Sequence, residues 1–172
     1  GMEPAIKHAT KATICKKVGI LATNGTLESA KFSALLETYS GEIDFHTQPC
    51  PGLVELIEQG KINDLSINIL IQKYLDPLIE KKVDTIVLGC THYIFIRKLI
   101  KNQMGANVRI IDTGLAVAKQ VKSELEKFSL TNKTNEKYYS IFTNSQNLKM
   151  EEIIRSMTTN LDFNYSYHSN WN

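Results

Sequence analysis

Apolar and polar positions along the chain fall into two alternating rhythms. Short runs of β-branched and aliphatic residues occur at Val18 to Ala22, Ile43 to Thr47, Val83 to Leu88 and Val108 to Ile111. Three of these are nearly continuous apolar segments, the signature of strands buried on both faces of a parallel sheet. Between them the spacing lengthens to that of helices. Thr26 is the expected N-cap of a helix running to about Tyr39, with Phe32, Leu35 and Leu36 inward and Gly41 closing it. Gln48 to Gly52 contains two prolines and reads as a turn, followed by a short helix from Leu53 to Gln59. Asn63 to Lys82 predicts a long helix with Leu65, Ile69, Tyr74, Leu75, Leu78 and Ile79 as its apolar stripe and a kink at Pro77. Tyr93 to Met104 predicts a helix with Ile96, Leu99 and Ile100 on one face, and another follows from Leu115 to Phe128. Beyond a polar turn at Leu130 to Lys137 come a strand at Tyr138 to Thr143 and a helix at Asn147 to Met157, with Leu148, Ile153, Ile154 and Met157 as its apolar contacts. A last short strand is expected in the tail, Asp162 to Asn172. Strand and helix in alternation predict an α/β fold, a parallel sheet flanked by helices.

Bulk properties narrow the class. The 172 residues suffice for a domain with a real core. A net charge of +2, with basic residues scattered, points to neither nucleic acid nor a membrane surface. No stretch is apolar and long enough to span a bilayer, and no signal-peptide pattern opens the chain. Three cysteines, Cys15, Cys50 and Cys90, are an odd number without metal-type spacing, which suits a reducing, cytoplasmic setting. The triplet Asn132-Lys133-Thr134 matches a glycosylation acceptor by chance in such a setting.

The chemistry concentrates at Leu88-Gly89-Cys90-Thr91-His92-Tyr93. Gly89 ends a buried strand, and Cys90, Thr91 and His92 stand where open α/β folds place their sites, between a strand end and a helix start. A helix N-terminus favours a thiolate, so the Cys90 pKa is expected to fall. Against this, a lone free cysteine most often only packs, and a histidine near a strand end is most often structural. Glu58 is an ordinary solvated carboxylate on pattern alone. Asp112 reads as a helix cap, and Cys50, between two prolines, as structural. A zinc site on Cys90 and His92 lacks further ligands at typical spacing.

The motif around Cys90 resembles the second catalytic-cysteine motif of the glutamate racemases, within the aspartate/glutamate racemase family. Gly1-Met2-Glu3-Pro4-Ala5-Ile6-Lys7, Gly19-Ile20-Leu21-Ala22-Thr23-Asn24-Gly25-Thr26, Pro49-Cys50-Pro51-Gly52-Leu53-Val54 and Ile111-Asp112-Thr113-Gly114 follow the family's order, so the resemblance covers about residues 1 to 128. It implies racemisation of glutamate without any cofactor or metal, in support of peptidoglycan synthesis, by two cysteines on opposite faces of Cα. Cys90 would be one of them. His92 would orient or relay protons, Thr91 would hold the substrate carboxylate, and Thr26 and Glu58 would be weaker contacts. Ile94 and Phe95 replace the Pro-Leu that commonly follows the motif. The family's first cysteine and its acidic-serine motif have no counterpart in the sequence. The expectation is therefore a truncated half-site, inactive alone: residues 1–15 a remnant of the first domain and linker, 16–111 one complete domain, and 112–172 a segment returning to an incomplete domain. Its exposed apolar faces are expected to drive homo-oligomer formation. Two alternatives stand beside this reading: another member of the aspartate/glutamate racemase group, and a non-catalytic binding module.

Overall fold

The computed structural model describes residues 2–132, 138–144, 148–157 and 164–167. Lys133 and Thr134 of the acceptor-like triplet, the polar turn at 133–137, the tail beyond residue 167 and the side chains of Leu148 and Met157 lie outside the described residues.

Strands β1 (Lys17–Ala22), β2 (Asp44–Pro49), β3 (Thr85–Leu88) and β4 (Arg109–Asp112) form one parallel sheet in the order β2-β1-β3-β4. Period-two alternation assigns their side chains to two cores. Leu21, Ile86, Leu88 and Ile110 face a layer made by α4 (Leu53–Glu58), α5 (Leu65–Glu80), a 3-10 helix at Thr91–Ile96, and α6 (Arg97–Met104). Val18, Ile20, Ala22, Val87 and Ile111 face the other layer, made by α1 (Met2–Ala12), α2 (Asn24–Leu27) and α3 (Ala30–Glu37). Every residue of β3 is buried, as its continuous apolar run requires. Gly19 lets the layers close: a Cβ there would stand 2.6 Å from Ile86 Cδ1 and 3.0 Å from Leu78.

Helix α1 buries Ala5, Ile6 and Ala9 completely against β3 and β4. The segment after it is tied to the sheet through Asp84, which accepts hydrogen bonds from Thr13 Oγ1 at 2.6 Å, the Ile14 N–H at 2.6 Å and the Cys15 N–H at 2.8 Å. Helix α1 thus shares the core of the unit expected to start at residue 16, and residues 13–15 are hydrogen-bonded to it.

Four local expectations are corrected. The helix expected from Thr26 divides into α2 and α3, with Thr23 and Ser29 as N-caps and Thr26 inside the first turn. Strand β2 runs on to Pro49, paired with Ala22. This is an edge strand, where a missing N–H leaves no ladder bond unmade. In α5 the buried stripe is Ile67, Ile71, Tyr74, Leu75 and Leu78, while Leu65, Ile69 and Ile79 face outward. Two helical stripes compete in that sequence, and packing on the sheet selects one. As expected, the helix runs through Pro77, and it ends at Glu80. Finally, the helix expected from Tyr93 begins as the 3-10 helix and becomes α-helical only at Arg97.

The rest of the chain is organised differently. Helix α7 (Gly114–Lys127) leaves Leu115, Val117, Val121 and Leu125 exposed, and Phe128 and Leu130 after it are exposed too. Strands β5 (Ser140–Thr143) and β6 (Asn164–Tyr167) form a separate two-stranded parallel sheet, with α8 (Leu148–Met157) between them in sequence and Ile153 buried. No helix among the described residues is long and apolar enough to cross a membrane.

Candidate functional site

The sheet order places the site. From β1 the chain turns to α2 and α3 on one face, and from β3 it turns to the 3-10 helix and α6 on the other. These connections diverge from neighbouring strands, which makes the carboxyl ends of β1 and β3 the topological switch point where ligands bind in open α/β sheets. Thr23 to Thr26 follow β1 there, and Cys90 to His92 follow β3.

Gly89 brings the two strand ends together. Its N–H donates to Leu21 O at 2.7 Å, and an added Cβ would lie 2.9 Å from that carbonyl and 3.0 Å from Ala22 Cβ. A side chain there would push β3 away from β1 just before the cysteine. Cys90 follows in extended conformation as the N-cap of the 3-10 helix. Tyr93, wholly buried, pins the next turn: its hydroxyl donates to Cys50 O at 3.4 Å. From the sequence Tyr93 is expected only to start a helix. Its position in the motif, polar-tipped and directly after three site candidates, was the available signal.

Cys90, His92 and Glu58 form one chain of contacts. Cys90 Sγ lies 3.8 Å from His92 Nδ1, and His92 Nε2 lies 3.1 Å from Glu58 Oε1. Glu58 arrives because α4 packs against the 3-10 helix. An ionised carboxylate only accepts, so Glu58 requires the proton of a neutral His92 on Nε2. Nδ1 then offers its lone pair to the Cys90 thiol. The arrangement can take a proton from sulfur, or return one to it.

The expected fall in the Cys90 pKa is corrected. Burial pushes the half-buried thiol up, and the backbone N–H groups of His92 and Tyr93 offset this only in part. A 3-10 turn carries a weaker terminal field than the long helix anticipated. Cys50 is more extreme: burial lifts its thiol to about 12, and its Sγ donates to Gln48 O at 3.3 Å. That behaviour fits the structural role expected for it.

Other candidates are more loosely placed. Thr91 is exposed beside the cluster. Thr26 shares a 3.0 Å hydroxyl hydrogen bond with Thr23 and lines a separate cavity of about 580 Å³ with Met2, Phe32 and Leu35. Asp112 caps as expected, accepting from the Gly114 N–H at 2.9 Å while pairing with Arg97 Nε at 3.5 Å. Cys15 stands at the opposite end of the sheet, held through Asp84. At about 3.3 Å per residue along β3, that is roughly 20 Å from Cys90. Among the described residues, no cluster of three or more His, Cys, Asp or Glu side chains could hold a metal ion.

The family described as Asp/Glu/Hydantoin racemase matches residues 1–121. A glutamate racemase of Pseudomonas syringae pv. tomato is 50% identical over 130 residues, 76% of this chain and 47% of that protein. One from Pseudomonas putida is 53% identical over 122 residues, 71% of this chain and 46% of that protein. Among solved structures, a glutamate racemase isoform from Bacillus anthracis superposes with a TM-score of 0.81 at 23% identity, over 97% of this chain and 62% of that one. A Francisella tularensis glutamate racemase in complex with D-glutamate superposes with a TM-score of 0.79 at 22% identity, again over 97% and 62%. At such identities the structural likeness shows the fold. The chain spans about half the length of the curated relatives it matches.

Proposed function

The chain belongs to the Asp/Glu/hydantoin racemase family, and from that premise we propose that it supplies one face of a cofactor-independent glutamate racemase site. The observation that carries the reading is the Cys90–His92–Glu58 chain at the switch point of the sheet. Inverting an amino acid requires that one group remove the Cα proton and that another return a proton from the opposite side. Cys90 is the group on this side. As thiolate it takes the proton from Cα; as thiol it delivers one to the planar carbanion. His92, fixed by Glu58, exchanges that proton with the sulfur. Thr91, and more weakly Thr26, would hold the substrate's polar groups, and His92 beside Cys90 favours glutamate over aspartate.

The second thiol must come from elsewhere. Cys50 is buried with its thiol pushed up to about 12, so it holds its proton. Cys15 lies at the far end of the sheet. This 172-residue chain is therefore proposed to be inactive alone, with residues 16–111, together with α1 packed on them, acting as one domain of the site and 112–172 packing on another. The exposed apolar row on α7 supports self-association of the isolated chain. In the cell the role would be cytoplasmic supply of D-glutamate for peptidoglycan.

One observation favours a second reading, a non-catalytic binding module: burial raises the Cys90 thiol instead of lowering it. Two measurements separate the readings. The first is exchange of the Cα proton of D- or L-glutamate with deuterium from solvent, with and without Cys90→Ala. A half-site can wash deuterium into one enantiomer without inverting it. The second is alkylation of Cys90 against pH, with Cys15 and Cys50 replaced by Ser, in His92 and His92→Ala backgrounds. Cys90-dependent exchange and a His92-dependent thiol profile support the racemase reading. Their joint absence leaves the binding module, and full inversion of glutamate by this chain alone refutes the half-site.

A further inference from the structure

We propose that the cleft between the carboxyl end of α1 and the edge strand β4 binds a small phosphate-bearing anion. His8 and Ala12 of α1, Arg97 and Lys101 of α6, and Arg109, Ile110 and Ile111 of β4 enclose about 360 Å³. Four basic side chains from three elements meet there, and no acidic residue lines the space. It is a different place from the Cys90 cluster: His92 and Glu58 do not border it.

Most of the neighbours that hold these cations in position are uncharged carbonyl oxygens. Arg97 Nη2 donates to Ile110 O at 3.1 Å, and Lys101 Nζ donates to Ala106 O at 2.8 Å and also to Val108 O. Arg109 Nη1 donates to Ala12 O. A carbonyl oxygen satisfies a donor but carries no formal charge. The cluster's one ion-pair partner among the described residues is Asp112, 3.5 Å from Arg97 Nε. Three permanent cations thus face one carboxylate. Each guanidinium has five N–H donors and spends only one or two of them on these partners. The remaining donors, in rigid forks, suit the oxygens of a phosphate.

A simpler role accounts for part of this arrangement. Arg97 and Lys101, one turn apart on α6, reach the outward carbonyls of Ile110 and Val108, which guards the open edge of the sheet. Edge protection does not call for Arg109 and His8 at the same cleft, and it predicts no saturable anion binding.

The test is calorimetric titration of the whole chain with inorganic phosphate, pyrophosphate and a nucleoside diphosphate, at constant ionic strength set by potassium chloride. The variants are Arg109→Gln and Lys101→Gln, which keep a donor for the carbonyls, with thermal unfolding as the check on folding. Saturable pyrophosphate binding, weakened about tenfold by either substitution, is expected. Tighter binding of the nucleoside diphosphate would identify an organic phosphate as the ligand, and equal or weaker binding a free phosphate. A second readout is the His8 ring resonance, which should shift on titration. Absence of saturable binding, affinity unchanged in folded variants, or an unmoved His8 would each overturn the proposal.

Discussion

The four-stranded sheet and helix α7 were read from the same kind of pattern, yet they ended in opposite environments. In β3 and in the stripe Ile67, Ile71, Leu75 and Leu78, apolar periodicity leads to nearly complete burial. In α7 an equally regular row, Val117, Val121 and Leu125, stays exposed, as does Phe128 beyond it. The row borders a groove of about 690 Å³ with Pro4 and Lys7 of α1, and nothing among the described residues fills it. Periodicity states which face of an element prefers burial. It does not provide the surface that buries it.

The comparison can be broken most forcefully in the core. Leu75→Ala should remove about 2 to 5 kcal/mol of stability in urea unfolding, since this fully buried side chain leaves a cavity its neighbours cannot refill. Gly89→Ala comes next. The new Cβ meets backbone rather than a yielding side chain, so a loss of about 1 to 3 kcal/mol is expected. It should also alter the pH profile of Cys90 alkylation, because β3 must shift where it delivers the cysteine.

A smaller effect sharpens the amino-terminal boundary. Burial alone would raise Asp84, but hydrogen bonds from Thr13, Cys15, Ile14 and Thr85 outweigh it and hold the carboxyl at about 2. A carboxylate depressed in the folded state stabilises the fold above the unfolded value near 4, and that contribution fades as pH falls towards 2. Asp84→Asn should therefore destabilise the chain by about 1 to 2 kcal/mol at pH 7. The gap between variant and parent should narrow in acid; a gap that stays constant from pH 7 to pH 2.5 would contradict the assignment.

The smallest effect belongs to the exposed row. Leu125→Ser should change monomer stability by no more than about 0.5 kcal/mol, as surface substitutions do. The same change should lower the association measured by sedimentation if the α7 face joins copies of the chain. A cost as large as that of Leu75→Ala would mean that the row is already covered, and the contrast between the two regions would collapse.

Much of this molecule was legible residue by residue. Continuous β-branched runs located β1, β3 and β4, because strands buried on both faces have no polar side to display. Gly89 before Cys90, Asp112 before Gly114 and the order of the family motifs were legible too, since each is a local requirement of a turn, a cap or a strand end. Local pattern was insufficient where two local answers were nearly equal. Leu65 and Ile69 are as apolar as Ile67 and Ile71, and only the sheet beneath α5 chose between the two stripes. Gln48 and Pro49 read as a turn, yet β2 carries on through both because it lies at the edge of the sheet.

Of the site, the sequence by itself determined Cys90, Thr91 and His92 as neighbours, because two residues of separation need no fold to bring them close. Tertiary structure alone decided that Glu58, 34 positions away, meets His92, that Cys50 is shut in the core, and that Cys15 stands at the wrong end of the sheet. It also decided the balance on the Cys90 thiol. Thiolate stability depends on how much water the fold leaves around the sulfur as well as on nearby N–H groups, and hydration is a property of the packed chain rather than of any motif.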